Sequence, residues 1–156
     1  MVSSRVVLLA LGLVVLVRGT HAHGDDKAVQ DELKQQQGTW TATSSIYEGQ
    51  PFPEHLARRI QRIVEGDRVV WKRSGKSFAG TKIVLDPSKE PKAIDVIPEG
   101  GPNRDKRVLG IYKLEGDKLT ICMASPDKPR PTAFKAEKGS GWTLRTFIRQ
   151  KPQSAK

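Results

Sequence analysis

The sequence predicts an all-β fold, an eight-stranded antiparallel meander barrel, and three observations carry that prediction. Apolar and polar residues alternate in eight separate segments between Gly38 and Arg149, the period of strands with one buried face. The joints between segments are rich in Gly, Pro and Asp, and two of them share one tripeptide, Glu65-Gly66-Asp67 and Glu115-Gly116-Asp117. No strong helical pattern of any length separates the segments, so successive strands are joined as hairpins and not by crossover helices. Closing such a meander on itself removes its exposed edges. A two-sheet sandwich is the alternative. It needs Greek-key jumps, and only residues 98–106 and 126–141 are long enough to make one.

The first segment opens at Gly38-Thr39-Trp40 and sets Trp40, Ala42, Ser44 and Ile46 on one face. Glu48-Gly49-Gln50-Pro51 breaks it. Residues 53–59 read as a short helical turn, with Pro53 at its start and few β-branched residues. Further strands are expected over 60–65, 68–72, 78–85, 93–97, 108–114, 119–124 and 142–149. Gly66 and Gly116 stand at the first central position of two-residue loops, where a type II′ turn needs positive φ. Ser74-Gly75 makes a third hairpin. The segment 126–141, which holds Pro126, Pro129 and Pro131, is expected at one end of the barrel.

Residues 1–22 have the three parts of a secretory signal peptide: Arg5, an apolar run of 12 residues from Val6 to Val17, and small residues in Thr20-His21-Ala22. The run is short for a membrane span, which needs about 20 apolar residues. Removing 22 of 156 residues leaves 134, enough for one domain, and losing Arg5 and Arg18 takes the net charge from +10 to +8. The organisation predicted is a signal peptide over 1–22, a mobile polar leader over 23–37 with room for one short helical turn over 31–37, the barrel over 38–151 and a polar tail over 152–156. The protein is expected to be secreted or periplasmic. Cys122 is the only cysteine, so no intramolecular disulfide can form, and stability must come from an apolar core.

A basic chain attracts polyanions. The basic groups are dispersed, though, and none is interleaved with the aromatics that stack on single strands. No nucleic-acid partner is expected. Catalytic and metal patterns are sparse. Gly75-Lys76-Ser77 lacks the first glycine of a phosphate-binding loop, since Val70 stands in its place. His23 and His55 remain after signal removal, with no cysteine pair and no His-x-x-x-His, so no metal or cofactor is predicted. Gly139-Ser140-Gly141 lacks the spacing of a nucleophile elbow and reads as a turn. Cys122 lies in mid-strand as a small buried residue. Asp95, inside Ala-Ile-Asp-Val-Ile, either faces water or pairs with a cation such as Arg130. No opposed carboxylate is evident, and no enzymatic activity is expected.

Six motifs stand in order along the chain: Gly38-Thr39-Trp40, Glu65-Gly66-Asp67, Pro91-Lys92-Ala93-Ile94-Asp95, Leu109-Gly110-Ile111-Tyr112, Gly116-Asp117-Lys118-Leu119-Thr120-Ile121-Cys122, and Lys128-Pro129-Arg130-Pro131-Thr132 with Phe134. In this the chain resembles a family of small, uncharacterised lipocalin-like domains abundant in planctomycetes, over about residues 33–150. The resemblance implies an exported eight-stranded barrel and no assigned activity. Lipocalins proper often lay an Arg near the last strand across the Gly-x-Trp indole, and Arg145, Arg149 and Arg130 are the residues here that could do so. The chain lacks the common lipocalin disulfide and is shorter than most lipocalins, so any cavity should be small.

These readings make Gly38, Trp40, Gly66, Asp95, Gly116, Arg145 and Arg149 structural residues. Trp40, Ile111, Met123, Arg130 and Trp142 are the candidate ligand-binding residues. The expected function is non-enzymatic binding of a small apolar or amphipathic ligand in the barrel mouth. The alternative is a filled barrel acting as an interaction module for an envelope protein or an acidic polymer. A binder should leave a void near Trp40, Ile111, Met123 and Trp142; an interaction module should pack it shut.

Overall fold

The computed structural model describes residues 22–151. The predicted signal peptide, apart from its last residue, and the predicted tail 152–156 lie outside the described residues. The elements in chain order are α1 (Ala22–Gln36), β1 (Gly38–Tyr47), β2 (Gln50–Pro51), α2 (Glu54–Ala57), β3 (Ile60–Glu65), β4 (Arg68–Arg73), β5 (Lys76–Asp86), β6 (Ala93–Pro98), β7 (Val108–Glu115), β8 (Lys118–Ala124) and β9 (Trp142–Arg149). Strands β3 to β9 pair antiparallel with their sequence neighbours. β1 pairs with both β3 and β9, which closes an eight-stranded barrel, and the two-residue β2 is added beside the end of β1.

The hairpins follow their sequence. Gly66 and Gly116 have φ of 61° and 60°, while the aspartates that follow them are not among the positive-φ residues. This is the type II′ arrangement. Ser74 and Gly75 both have positive φ, as type I′ requires. Helix α2 falls within the predicted helical turn, with Pro53 at its N-cap.

Three expectations are corrected. The alternation along β1 fails after Ala42, because a bulge between Ala42 and Ser44 shifts the register against β9. Ser44 is therefore exposed, and Ser45 takes the inward position.

The polar leader is no mobile segment: residues 22–36 form α1, which packs across one end of the barrel. Val29, Glu32, Leu33 and Gln36 make its covered face, at the i, i+3, i+4, i+7 spacing of a helix on a core. Glu32 accepts hydrogen bonds from Tyr112 Oη (3.1 Å) and from Lys92 Nζ. Gln37, just past the helix, donates to Gly66 O (2.9 Å) and accepts from Gly66 N (2.8 Å), tying the β3–β4 turn to the helix end.

The proline-rich segment 126–141 does not cap an end. It lies along the outer wall, over β6, β7 and β8. Pro131 is fully buried there, the Cys122 thiol donates to Lys135 O (3.3 Å), and Glu48 accepts from the backbone N–H groups of Gly139 and Gly141. The segment covers an apolar outer patch that includes Ile111, Cys122 and Ala124, which explains how β8 can be buried at consecutive positions.

The core fills the lower half of the barrel. Trp40, Val64, Val69, Leu85, Ile94, Tyr112, Leu119 and Phe147 pack together, with Leu33 of α1 against them.

Candidate binding site in the barrel lumen

The end covered by α1 is closed by matched groups. Trp40 is fully buried, and its Nε1 donates to Gln36 O (2.9 Å). The Arg149 guanidinium lies over the indole, 4.1 Å from the ring centroid. It also donates to Gln35 O (2.6 Å), Gln37 O (2.5 Å) and Asp117 Oδ1 (2.9 Å). Carbonyls left free at the C-terminal end of α1 thus meet a cation, which also suits the helix dipole. Of the three arginines that could cross the Gly-x-Trp indole, Arg149 does so.

Above this base the lumen is not filled. A cavity of about 100 Å³ is lined by seven apolar side chains, Trp71, Ile83, Ile94, Val96, Ile121, Met123 and Phe147, and by Thr143, Arg62 and Arg145. Trp71 Nε1 donates to Thr81 Oγ1 (3.1 Å), so the indole is held in place. Two clefts adjoin the cavity at the opposite, open end. One, of about 670 Å³, shares Trp71, Val96, Met123 and Arg145 with it and reaches Phe78. The other, of about 730 Å³, shares Thr143 and Arg145 and runs under α2 past Tyr47 and Phe52. Tyr47, Phe52 and Phe78 are each about half exposed. The mouth is therefore open, with apolar side chains set among Arg59, Arg73 and the Arg68–Glu99 ion pair.

The two arginines differ from every other charge near the core. Arg62 is fully buried, and Nη2 donates to Gln36 Oε1 (2.8 Å). Its Nη1 and the Nε2 of Gln36 have no hydrogen-bond partner among the described residues. Burial alone pulls the Arg62 guanidinium down to about 9, which still leaves it charged at neutral pH. Arg145 is half-buried at the mouth, with one long contact from Nε to Ser45 Oγ (3.4 Å). Burial, and then the charge of Arg73, lowers its pKa.

The candidate residues separate clearly. Met123 lines the cavity. Trp40 lies below it, sealed under α1. Ile111 faces outward, opposite Tyr112, into a groove under Pro131 and Arg130. Trp142 lies on the outer face of β9, opposite Thr143, Arg145 and Phe147, which line the cavity. Neither can touch a ligand in the lumen. Arg130 also lies on the outer wall, where it donates to Asp95 Oδ1 (2.7 Å), Gly110 O (2.6 Å) and Ile94 O (3.2 Å). Asp95 accepts a second guanidinium from Arg107 (2.9 Å). That cluster pins segment 126–141 to β6 and β7, so Arg130 joins Asp95 as a structural residue. Gly38 has φ of 103° at the start of β1, close to Arg149.

Arg62, Trp71 and Phe147 escaped the sequence reading. A signal was there for Arg62: Ile60-Arg62-Val64 places an arginine in the inward register of a strand, between two core positions. Burial of the Cys122 thiol raises its pKa, in keeping with an inert residue. Lys76 opens β5 directly after the Ser74-Gly75 turn, so no helix follows Gly75-Lys76-Ser77. Among the described residues no group of His, Cys, Asp and Glu could hold a metal, and no helix is long and apolar enough to cross a membrane. No family model, curated protein or solved structure matches the chain.

Proposed function

We propose that the protein is a non-enzymatic binding domain of the cell envelope or exterior, holding a small amphipathic molecule in its barrel. The observation that carries this reading is the void above the packed base, lined by apolar side chains and two cations and continuous at its rim with apolar clefts. An eight-stranded barrel can be filled by side chains or hold one small ligand. Here the lower half is filled and the upper half is not. The cavity alone is smaller than the roughly 300–1,000 Å³ of sites that enclose drug-sized ligands. The ligand therefore sits partly in the lumen and partly in the mouth.

Export rests on the sequence of residues 1–22. Intact mass of the protein recovered from outside the cytoplasm tests it, with a chain starting at or near His23 expected; retention of residues 1–22 overturns the cleavage. Binding is tested by native mass spectrometry of the protein purified from its own cells. A small molecule released in equimolar amount on denaturation is expected, and Val96→Phe, which fills the cavity near the mouth, should abolish its capture. Co-purification of a protein or acidic polymer, with no small molecule, would favour the interaction-module reading instead.

A further inference from the structure

We infer that the ligand is an acid, with its anionic head held inside the barrel by Arg62 and its apolar part running past Trp71 and Met123 to the mouth. This rests on the binding reading above and adds the chemical class of the ligand.

Three observations converge on it. The first is the lone charge. Apart from Arg62 and Arg145, the charges near the core among the described residues are paired: Glu32 with Lys92, Asp95 with Arg107 and Arg130, and Arg149 with Asp117. Arg62 is the most deeply buried of them, and among the described residues it has no carboxylate within ion-pair distance. A buried charge without a counterion is costly, and removing that cost is what an anion would do. A trapped water could satisfy one N–H but could not neutralise the charge.

The second is the pattern of unused donors. Arg62 Nη1 and Gln36 Nε2 are both without partners, on side chains already joined by the Nη2–Oε1 bond. Of the two, Arg62 lines the cavity, and an unused guanidinium donor there suits an accepting group such as a carboxylate, which has two accepting oxygens.

The third is the sign of the lining. Of the ten residues around the cavity two are arginines and none is Asp or Glu. Arg145 stands between cavity and mouth, so an entering anion meets one cation on its way to the other. A volume of about 100 Å³ admits the head and the first few carbons of a chain and leaves the rest among Phe78 and Pro98 at the rim.

Isothermal titration of the exported protein with decanoate, decanol, decyltrimethylammonium and acetate separates the possibilities. Decanoate is expected to bind at least tenfold more tightly than decanol, with acetate weaker than decanoate and the cationic amphiphile not bound. Arg62→Met should erase the preference, leaving decanoate and decanol equal. Arg62→Gln should behave alike, and the head-group comparison on the parent needs no variant. Equal binding of decanoate and decanol by the parent overturns the acid while leaving the binding reading in place. Acetate binding as tightly as decanoate overturns the apolar part of the ligand. An undiminished preference in both Arg62 variants overturns the assignment to Arg62. No binding by any of the four overturns the binding reading itself.

Discussion

The two ends of the barrel are built from the same kinds of residue and put them to opposite uses. At the base, Trp40 is sealed between α1 and Arg149, and every charge meets an opposite charge or a carbonyl. In the lumen and at the mouth, Trp71 borders empty space, and Arg62 and Arg145 have no counterion among the described residues. The base is what a chain without a disulfide needs to hold its fold. The upper half leaves room, with two unpaired cations facing it. Buried arginine therefore has two meanings here, separable by what each guanidinium touches. Substitutions at the base should be expensive, and those of the two lumen arginines nearly free.

Trp40→Ala is the largest test of that contrast. It empties the base beneath α1 and removes the ring under Arg149, and a Trp→Ala change in a core costs about 3–5 kcal/mol. Lys72→Ala, on the outer face of β4, should change stability by less than about 0.5 kcal/mol. Urea unfolding of both variants checks this, and equal small shifts would mean the base is not the stabilising end. Arg149→Met and Arg130→Ala come next, each expected to cost about 2 kcal/mol, because each removes charge-assisted bonds to two backbone carbonyls and to a carboxylate. Arg130→Lys should recover only part of the loss, since an ammonium cannot copy the fork that reaches Asp95, Ile94 O and Gly110 O together.

How much of this could be read from the chain varies along it. Period-two alternation and Gly-Asp turns made the eight strands legible, because local backbone preference and burial agree there. The helix was legible only as a short turn over 31–37, not at its length of 15 residues. Its buried face reads Val29, Glu32, Leu33, Gln36, and two of these four are polar, so the apolar stripe that marks an amphipathic helix is missing. Glu32 and Gln36 are buried only because Tyr112, Lys92 and Arg62, from distant parts of the chain, come to meet them. The bulge at Thr43 is equally silent, and it inverts the predicted face for the rest of β1. Ile111 and Trp142 were misplaced for a related reason. An apolar residue on a strand signals burial but not which side is buried, and the outer wall is covered by segment 126–141. Met123 was placed correctly because its strand neighbours Leu119 and Ile121 share its face and have no cover outside.

A smaller, pH-dependent effect probes the polar seam at the base. Burial, then the charge of Glu32, then its hydrogen bond raise the Tyr112 phenol above its ordinary value of 10.0. The unfolded chain therefore releases this proton near pH 10 while the folded chain keeps it. Above that pH the native state binds more protons than the unfolded state, and stability falls by about 1.4 kcal/mol per pH unit until the folded phenol ionises. Tyr112→Phe removes the titration. At pH 8 the variant should be about 1 kcal/mol less stable than the parent, for the lost bond to Glu32. By pH 11 that deficit should close. Unfolding curves at the two pH values decide it, and a constant gap would mean Tyr112 is not held protonated.

The smallest effect on stability is expected from Arg145→Met, and it carries the comparison most directly. Arg145 and Arg149 share a strand and a face, four residues apart. Arg149 makes three hydrogen bonds of 2.9 Å or less and stacks on Trp40. Arg145 makes one contact of 3.4 Å, and both burial and Arg73 disfavour its charge. Methionine keeps much of the apolar stem and discards a charge that has nothing to pair with, so the substitution should be neutral to within about 0.5 kcal/mol or slightly stabilising. Its cost should appear in binding, because the cation between mouth and cavity is gone. Decanoate affinity should drop severalfold while decanol affinity stays the same. If Arg145→Met instead unfolds the protein as readily as Arg149→Met, the mouth is a stabilising element like the base, and the division between the two ends fails.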